Sequence, residues 1–133
     1  MKATTRDWLK AASDDLLVID YIIDNNLLTN VVAFHAQQVI EKSFKAVVEE
    51  FNITFKKTHN LQSLFLLIEN VIPFEVNEML LAELDRLYID ARYPGDFGLL
   101  PDGKPTVGEG VAYKEEAFSI HSQIERFLSD TIS

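Results

Sequence analysis

The chain contains no cysteine. That excludes a disulfide scaffold, a thiolate zinc site and a thiol nucleophile together. It also lacks a long apolar run. Leu64-Phe65-Leu66-Leu67-Ile68 is stopped by Glu69 and Asn70, far short of the roughly 20 residues that span a bilayer. The start turns polar at once, from Lys2 to Asp7, without the apolar stretch of a secretory leader. A cytoplasmic protein without a membrane partner is therefore expected. Positive charge is scarce as well: 12 Lys and Arg against 21 Asp and Glu leave a net charge of −9. Such a surface repels nucleic acid, so nucleic acid is not the expected partner and any nucleotide would need a local basic patch. Lys42, Lys45, Lys56 and Lys57 form the best patch in the sequence, set against Glu41, Glu49 and Glu50. Glycine and proline are rare except in one place. All five glycines and three of the four prolines fall between Pro94 and Gly110.

What is present is helical periodicity. A length of 133 residues with 47% hydrophobic composition fits one domain, 1–133, with a sizeable core. Apolar residues spaced three and four apart predict five helices. The first runs from about Thr4 or Thr5 to Asp24, capped by one of those threonines with Asp7, and buries Trp8, Ala12, Leu16, Ile19 and Ile23. The second runs from about Asn30 to Phe51. A loop from Asn52 to Thr58 follows, and Thr58 is read as the cap of a third helix over about Asn60–Asn70. Pro73 opens a fourth, from about Phe74 to Ala91, with Val76, Leu80, Leu84, Leu87 and Tyr88 inward. The fifth, from about Glu109 to Asp130, buries Val111 or Ala112, Phe118, Ile124 or His121, and Leu128. No segment reads as a strand. The expected fold is all-α, a five-helix antiparallel up-and-down bundle with a long Gly/Pro-rich loop before the last helix. A loop of that length is functional or a surface excursion pinned by Phe97 and Leu99.

Within the second helix, Phe34-His35-Ala36-Gln37-Gln38-Val39-Ile40-Glu41-Lys42-Ser43-Phe44-Lys45-Ala46 divides into two faces. Ala36, Ile40, Phe44, Val47 and Phe51 make an apolar stripe. His35, Gln38, Lys42, Lys45 and Glu49 lie opposite, within an arc of about 80°. That polar side is either a cationic wall suited to a phosphate or acidic partner, or a solvated helix face. The segment resembles the HEPN family (higher eukaryotes and prokaryotes nucleotide-binding domains). Trp8-x-x-x-Ala12-x-x-Asp15-Leu16, Lys57-Thr58-His59-Asn60-Leu61 and Ala91-Arg92-Tyr93-Pro94 resemble other segments of that family, in the expected order. The resemblance implies a HEPN-type bundle and a homodimer. It also implies a minimal nucleotidyltransferase as protein partner in a toxin–antitoxin-like pair, and a nucleotide as ligand. The aromatic content, nine Phe and four Tyr, points the same way on assembly, with a dimer face expected near the fourth helix and its following loop.

Many HEPN members cut RNA with an R-x4–6-H motif. From Arg92 the histidine would stand at Phe97, Gly98 or Leu99, and from Arg86 at Ala91, Arg92 or Tyr93. From Arg6 and Arg126 it would stand at Ala11, Ala12 or Ser13 and at Thr131, Ile132 or Ser133. None of these is histidine, so no catalytic residue is assigned. His35, Gln38, Lys42, Lys45, Arg92 and Tyr93 are the candidate ligand-binding residues. Lys42 and Arg92 would hold phosphate oxygens, and Tyr93 would offer a stacking face. The bland alternatives are explicit: His35 bonded to Asp15 or a main-chain carbonyl between helices, Arg92 paired with Asp15, Asp90 or Asp96, Tyr93 packed before proline. His59 is expected to pack or cap, and His121 to lie at an interface or in the core. Three histidines on separate helices make no metal site, and no P-loop, dinucleotide fingerprint or Ser/His/Asp pattern occurs. No cofactor is expected. The sequence is thus read as a non-catalytic HEPN module for nucleotide or partner binding, with a divergent ribonuclease using Arg92 as the alternative.

Overall fold

Helix α1, Ala3–Ile22, runs antiparallel to α2, Thr29–Glu50, and a short 3-10 turn at Asn26–Leu28 joins them. The computed structural model describes the backbone of residues 1–92 and 104–132, and the side chains of 1–89 and 104–130. Helix α3 is Leu61–Ile68, α4 is Glu78–Arg92 and α5 is Val107–Ile132. No strand occurs among the described residues.

Pairings fix the helix directions. Thr5 of α1 donates to Glu50 at the end of α2, and Asp15 meets His35. Phe34 stacks on Tyr88 of α4, while Tyr113 of α5 donates to Glu83. Gly110 lies beside Val32, and Phe51 stacks on Phe127, so α5 runs parallel to α2. The four long helices alternate in direction, and α2 touches α1, α3, α4 and α5. This explains why α2 is buried on most sides, with Gln37, Glu41, Ser43 and Lys45 inside as well as Val39, Ile40 and Phe44. A helix in the middle of a bundle has no fully solvated face, so its polar residues need partners.

Several sequence-based expectations shift, each for a definite physical reason. Helix α1 begins after Lys2 with no side-chain cap. Thr4 and Thr5 instead donate to Glu49 and Glu50, both at 2.8 Å, tying its start to the end of α2. The end of α2 closes with Asn52 at φ 53°, its N–H on the Glu49 carbonyl and the Ile53 N–H on the Val48 carbonyl. Asparagine tolerates this left-handed position better than most residues. Asn60, not Thr58, caps α3: its side chain accepts from the Ser63 N–H at 2.8 Å. Helix α4 starts at Glu78 rather than near Phe74, because the Asn77 side chain accepts from the Leu80 N–H and sets the boundary there. In α5 the inward stripe is Tyr113, Ala117, Ile120, Ile124 and Leu128 with His121, whereas Phe118, Val111 and Ala112 are exposed. The expected stripe was one residue out of phase at Phe118, and the longer Tyr113-to-Leu128 repeat is the one the bundle buries.

Candidate functional site

The polar side of α2 is built around two carboxylates, not two lysines. Asp15 comes from the buried edge of α1. Its two oxygens take His35 Nδ1 at 2.8 Å and Lys42 Nζ at 2.6 Å. Burial alone would push this carboxyl up. The hydrogen bonds from His35 and Lys42, with their charges, outweigh it and hold Asp15 below the usual carboxylate range.

One turn away, Glu41 does the same work from within α2. Lys45 Nζ lies at 2.8 Å, Gln37 Nε2 at 3.1 Å and His59 Nδ1 at 3.0 Å. The Gln37–Glu41–Lys45 spacing of four is what allows one helix to assemble this row. Lys45 is only 9% exposed in its side chain. Its ammonium is also 5.3 Å from the centre of the Trp8 ring, a cation–π contact that reinforces the ion pair. Gln38 donates to the Gln37 side chain at 2.7 Å, and Gln37 donates to the His59 carbonyl at 3.0 Å. An aromatic row closes the far side: His35 edge-on to Phe34, Phe34 stacked on Tyr88, and Tyr88 5.9 Å from His59.

Asp85 of α4 completes the arrangement. It accepts the Leu61 N–H at 2.7 Å and the Gln62 N–H at 3.2 Å, so a side chain remote in sequence caps α3. Burial raises the Asp85 carboxyl above its ordinary value despite those bonds, and the negative charge of Glu41 adds to the rise.

The structure therefore places four of the six candidate residues in two hydrogen-bonded groups along α2: His35 and Lys42 on Asp15, and Lys45 with Gln38, through Gln37, on Glu41. It does not present them as a cationic wall. Asp15 binds both His35 and Lys42 and supplies the counter-charge to Lys42, and Glu41 supplies it to Lys45. The fourth-helix position of Arg92 is one turn beyond Tyr88. Its side chain, Tyr93 and the Gly/Pro-rich segment up to Gly103 lie outside the described residues.

The chain matches the HEPN domain family model over residues 5–131. It belongs to the HEPN family. No curated protein and no solved structure matches this HEPN domain. Among its described residues no group of His, Asp and Glu is placed to hold a metal ion, and no helix is long and apolar enough to cross a membrane.

Glu41, His59 and Tyr88 were not among the candidate site residues. The i, i+4 run Gln37-Glu41-Lys45 was a legible signal for the first. Nothing in the sequence brings His59 and Tyr88 to the same place. His59 is also the most exposed member of the network, at 48% of its side chain, and its second ring nitrogen has no partner among the described residues. His121, by contrast, is buried and donates to the Leu9 carbonyl at 3.2 Å, a structural role.

Proposed function

We propose that the protein is a non-catalytic HEPN domain that acts as a nucleotide- or partner-binding module beside a minimal nucleotidyltransferase, as in toxin–antitoxin-like pairs. The observation that carries this reading is the internal pairing of the polar face. Asp15 already occupies His35 and Lys42, and Glu41 occupies Lys45, the side chains on α2 that would grip a phosphate. Displacing them costs the pairs they make, so partner binding through outer surfaces is favoured over nucleotide capture at α2. The absent R-x4–6-H motif points the same way. The test is incubation of purified protein with RNA, alone and after co-expression with a minimal nucleotidyltransferase. Intact RNA and a co-purifying complex are expected. Metal-independent cutting abolished by Arg92→Ala would overturn the non-catalytic reading.

One observation favours the divergent-ribonuclease alternative. His59 has a carboxylate, Glu41, orienting Nδ1 while its ring stays half exposed. That is the arrangement of a histidine acid–base group. In that case cleavage would depend on His59 as well as Arg92, and His59→Ala in the same assay separates the readings.

A further inference from the structure

The positive charge that is left over sits elsewhere. Lys42, Lys45, Lys10 and Lys114 each pair with a carboxylate. Lys56 and Lys57, the only adjacent basic residues in the chain, are exposed and have no ion-pair partner among the described residues.

They flank a groove of about 600 Å³, which is formed with Thr54, Phe55, Ser63 and Leu67. Its first wall is the connection from α2 to α3, which is neither helical nor paired with another segment. Ile53 and Phe55 pack on the core, while Thr54, Lys56 and Lys57 are exposed. The main-chain groups of residues 54–57 make no hydrogen bond among the described residues. Both ends are pinned: Ile53 N–H bonds the Val48 carbonyl, and the His59 carbonyl accepts from Gln37. A non-helical segment held at its ends, with unpaired amides between, offers main-chain groups that a partner strand can pair with. The opposite wall is α3, with Ser63 exposed and Leu67 half-buried.

We propose that this groove docks an extended, acidic segment of a partner protein, an inference that deepens the partner-binding reading above. The partner's main chain pairs with residues 54–57, an apolar side chain enters between Phe55 and Leu67, and flanking carboxylates meet Lys56 and Lys57. The net charge of −9 does not forbid this. Screening over about 8 Å at physiological salt lets the two local lysines decide the contact. The same net charge, with only two cations, argues against a nucleic-acid backbone, whose affinity grows with the number of phosphates neutralised.

The test is peptide phage display on the whole protein, with Lys56→Glu/Lys57→Glu as counter-target. Selected peptides are then synthesised with and without N-methylated backbones. Acidic, alternating sequences are expected to be enriched. The double variant should weaken their binding about tenfold or more, and N-methylation should weaken it too. An unchanged circular dichroism spectrum and melting temperature show that the exposed substitutions leave the fold intact. No enrichment, enrichment without acidic bias, or equal binding to the double variant would overturn the groove. So would competition by inorganic phosphate or tighter binding of a labelled RNA decamer than of any peptide. None of those outcomes touches RNA cleavage or nucleotidyltransferase co-purification, so failure of the groove is distinguishable from failure of the module reading.

Discussion

At the scale of single residues, Asp15 is the informative one. Its carboxylate holds a histidine and a lysine from α2 at once. Replacing it by asparagine leaves Lys42 without its counter-ion in a half-buried place. Asp15→Asn should cost about 2–3 kcal/mol, measured by urea unfolding at neutral pH. The pH dependence has a definite sign. The unfolded carboxyl titrates at its ordinary value, 3.8, and the folded one lies lower. On acidification the unfolded chain takes up the proton first. The Asp15 contribution is thus whole above the ordinary value and lost as pH falls through the folded one. The stability gap between the wild-type protein and Asp15→Asn should narrow across that window; a gap independent of pH would contradict the pairing. His35 was legible only as a choice between ligand contact and a bond to Asp15 or a main-chain carbonyl. The sequence offers no way to know that α1 and α2 are in register there.

At the scale of elements, α3 shows how a short helix is held. Eight residues are too few for an isolated helix, and its first N–H groups are satisfied from outside. Asn60 takes Ser63, and Asp85 takes Leu61 and Gln62. Asp85→Ala should destabilise the protein by about 1–2 kcal/mol, and hydrogen exchange at Leu61–Ser63 should accelerate more than in α5. Asp85 also carries the opposite pH sign to Asp15. Its folded value lies above 3.8, so the folded state protonates first, and stability falls as pH rises through that raised value. Relative to Asp85→Asn, the wild-type protein should gain stability on acidification over that range. The helices themselves were readable from periodicity because each buries one stripe. Two of the errors fell where side chains remote in sequence decide: Thr5 bonded to Glu50 instead of capping, and α3 capped in part from α4. A local signal that was not singled out sits at the start of α5. There the Glu109 carboxylate accepts the Thr106 N–H, and Thr106 Oγ1 accepts the Glu109 N–H. That main-chain bond, with the weaker effects of Thr106 and its neighbours, holds Glu109 below its ordinary value.

At the scale of the whole molecule, the unfinished business is apolar surface. Helices α1 and α5 run antiparallel, as the His121 bond to Leu9 and the Lys114–Asp20 pair require. That alignment sets Phe118 beside Leu16, and the two line one groove. On the outside of this helix pair Tyr21 is 88% exposed, Phe118 59% and Leu17 56%. The surrounding charges have both signs, in the Lys10–Asp14 and Lys114–Asp20 pairs. A second copy can therefore approach this face without the repulsion that the net charge imposes elsewhere, and a two-fold axis would set like patches together. The dimer face expected near α4 has Met79 and Ile89 exposed, but its following loop lies outside the described residues. Sedimentation of the wild-type protein should show a concentration-dependent dimer. Tyr21→Lys with Phe118→Glu, both at exposed positions, should shift it to monomer without changing the melting temperature by more than a few degrees. A dimer that persists in this variant and dissociates with Met79→Lys and Ile89→Lys would move the interface to α4. A wild-type protein that sediments as a monomer at every concentration would remove the homodimer altogether, leaving the exposed aromatics to a different partner.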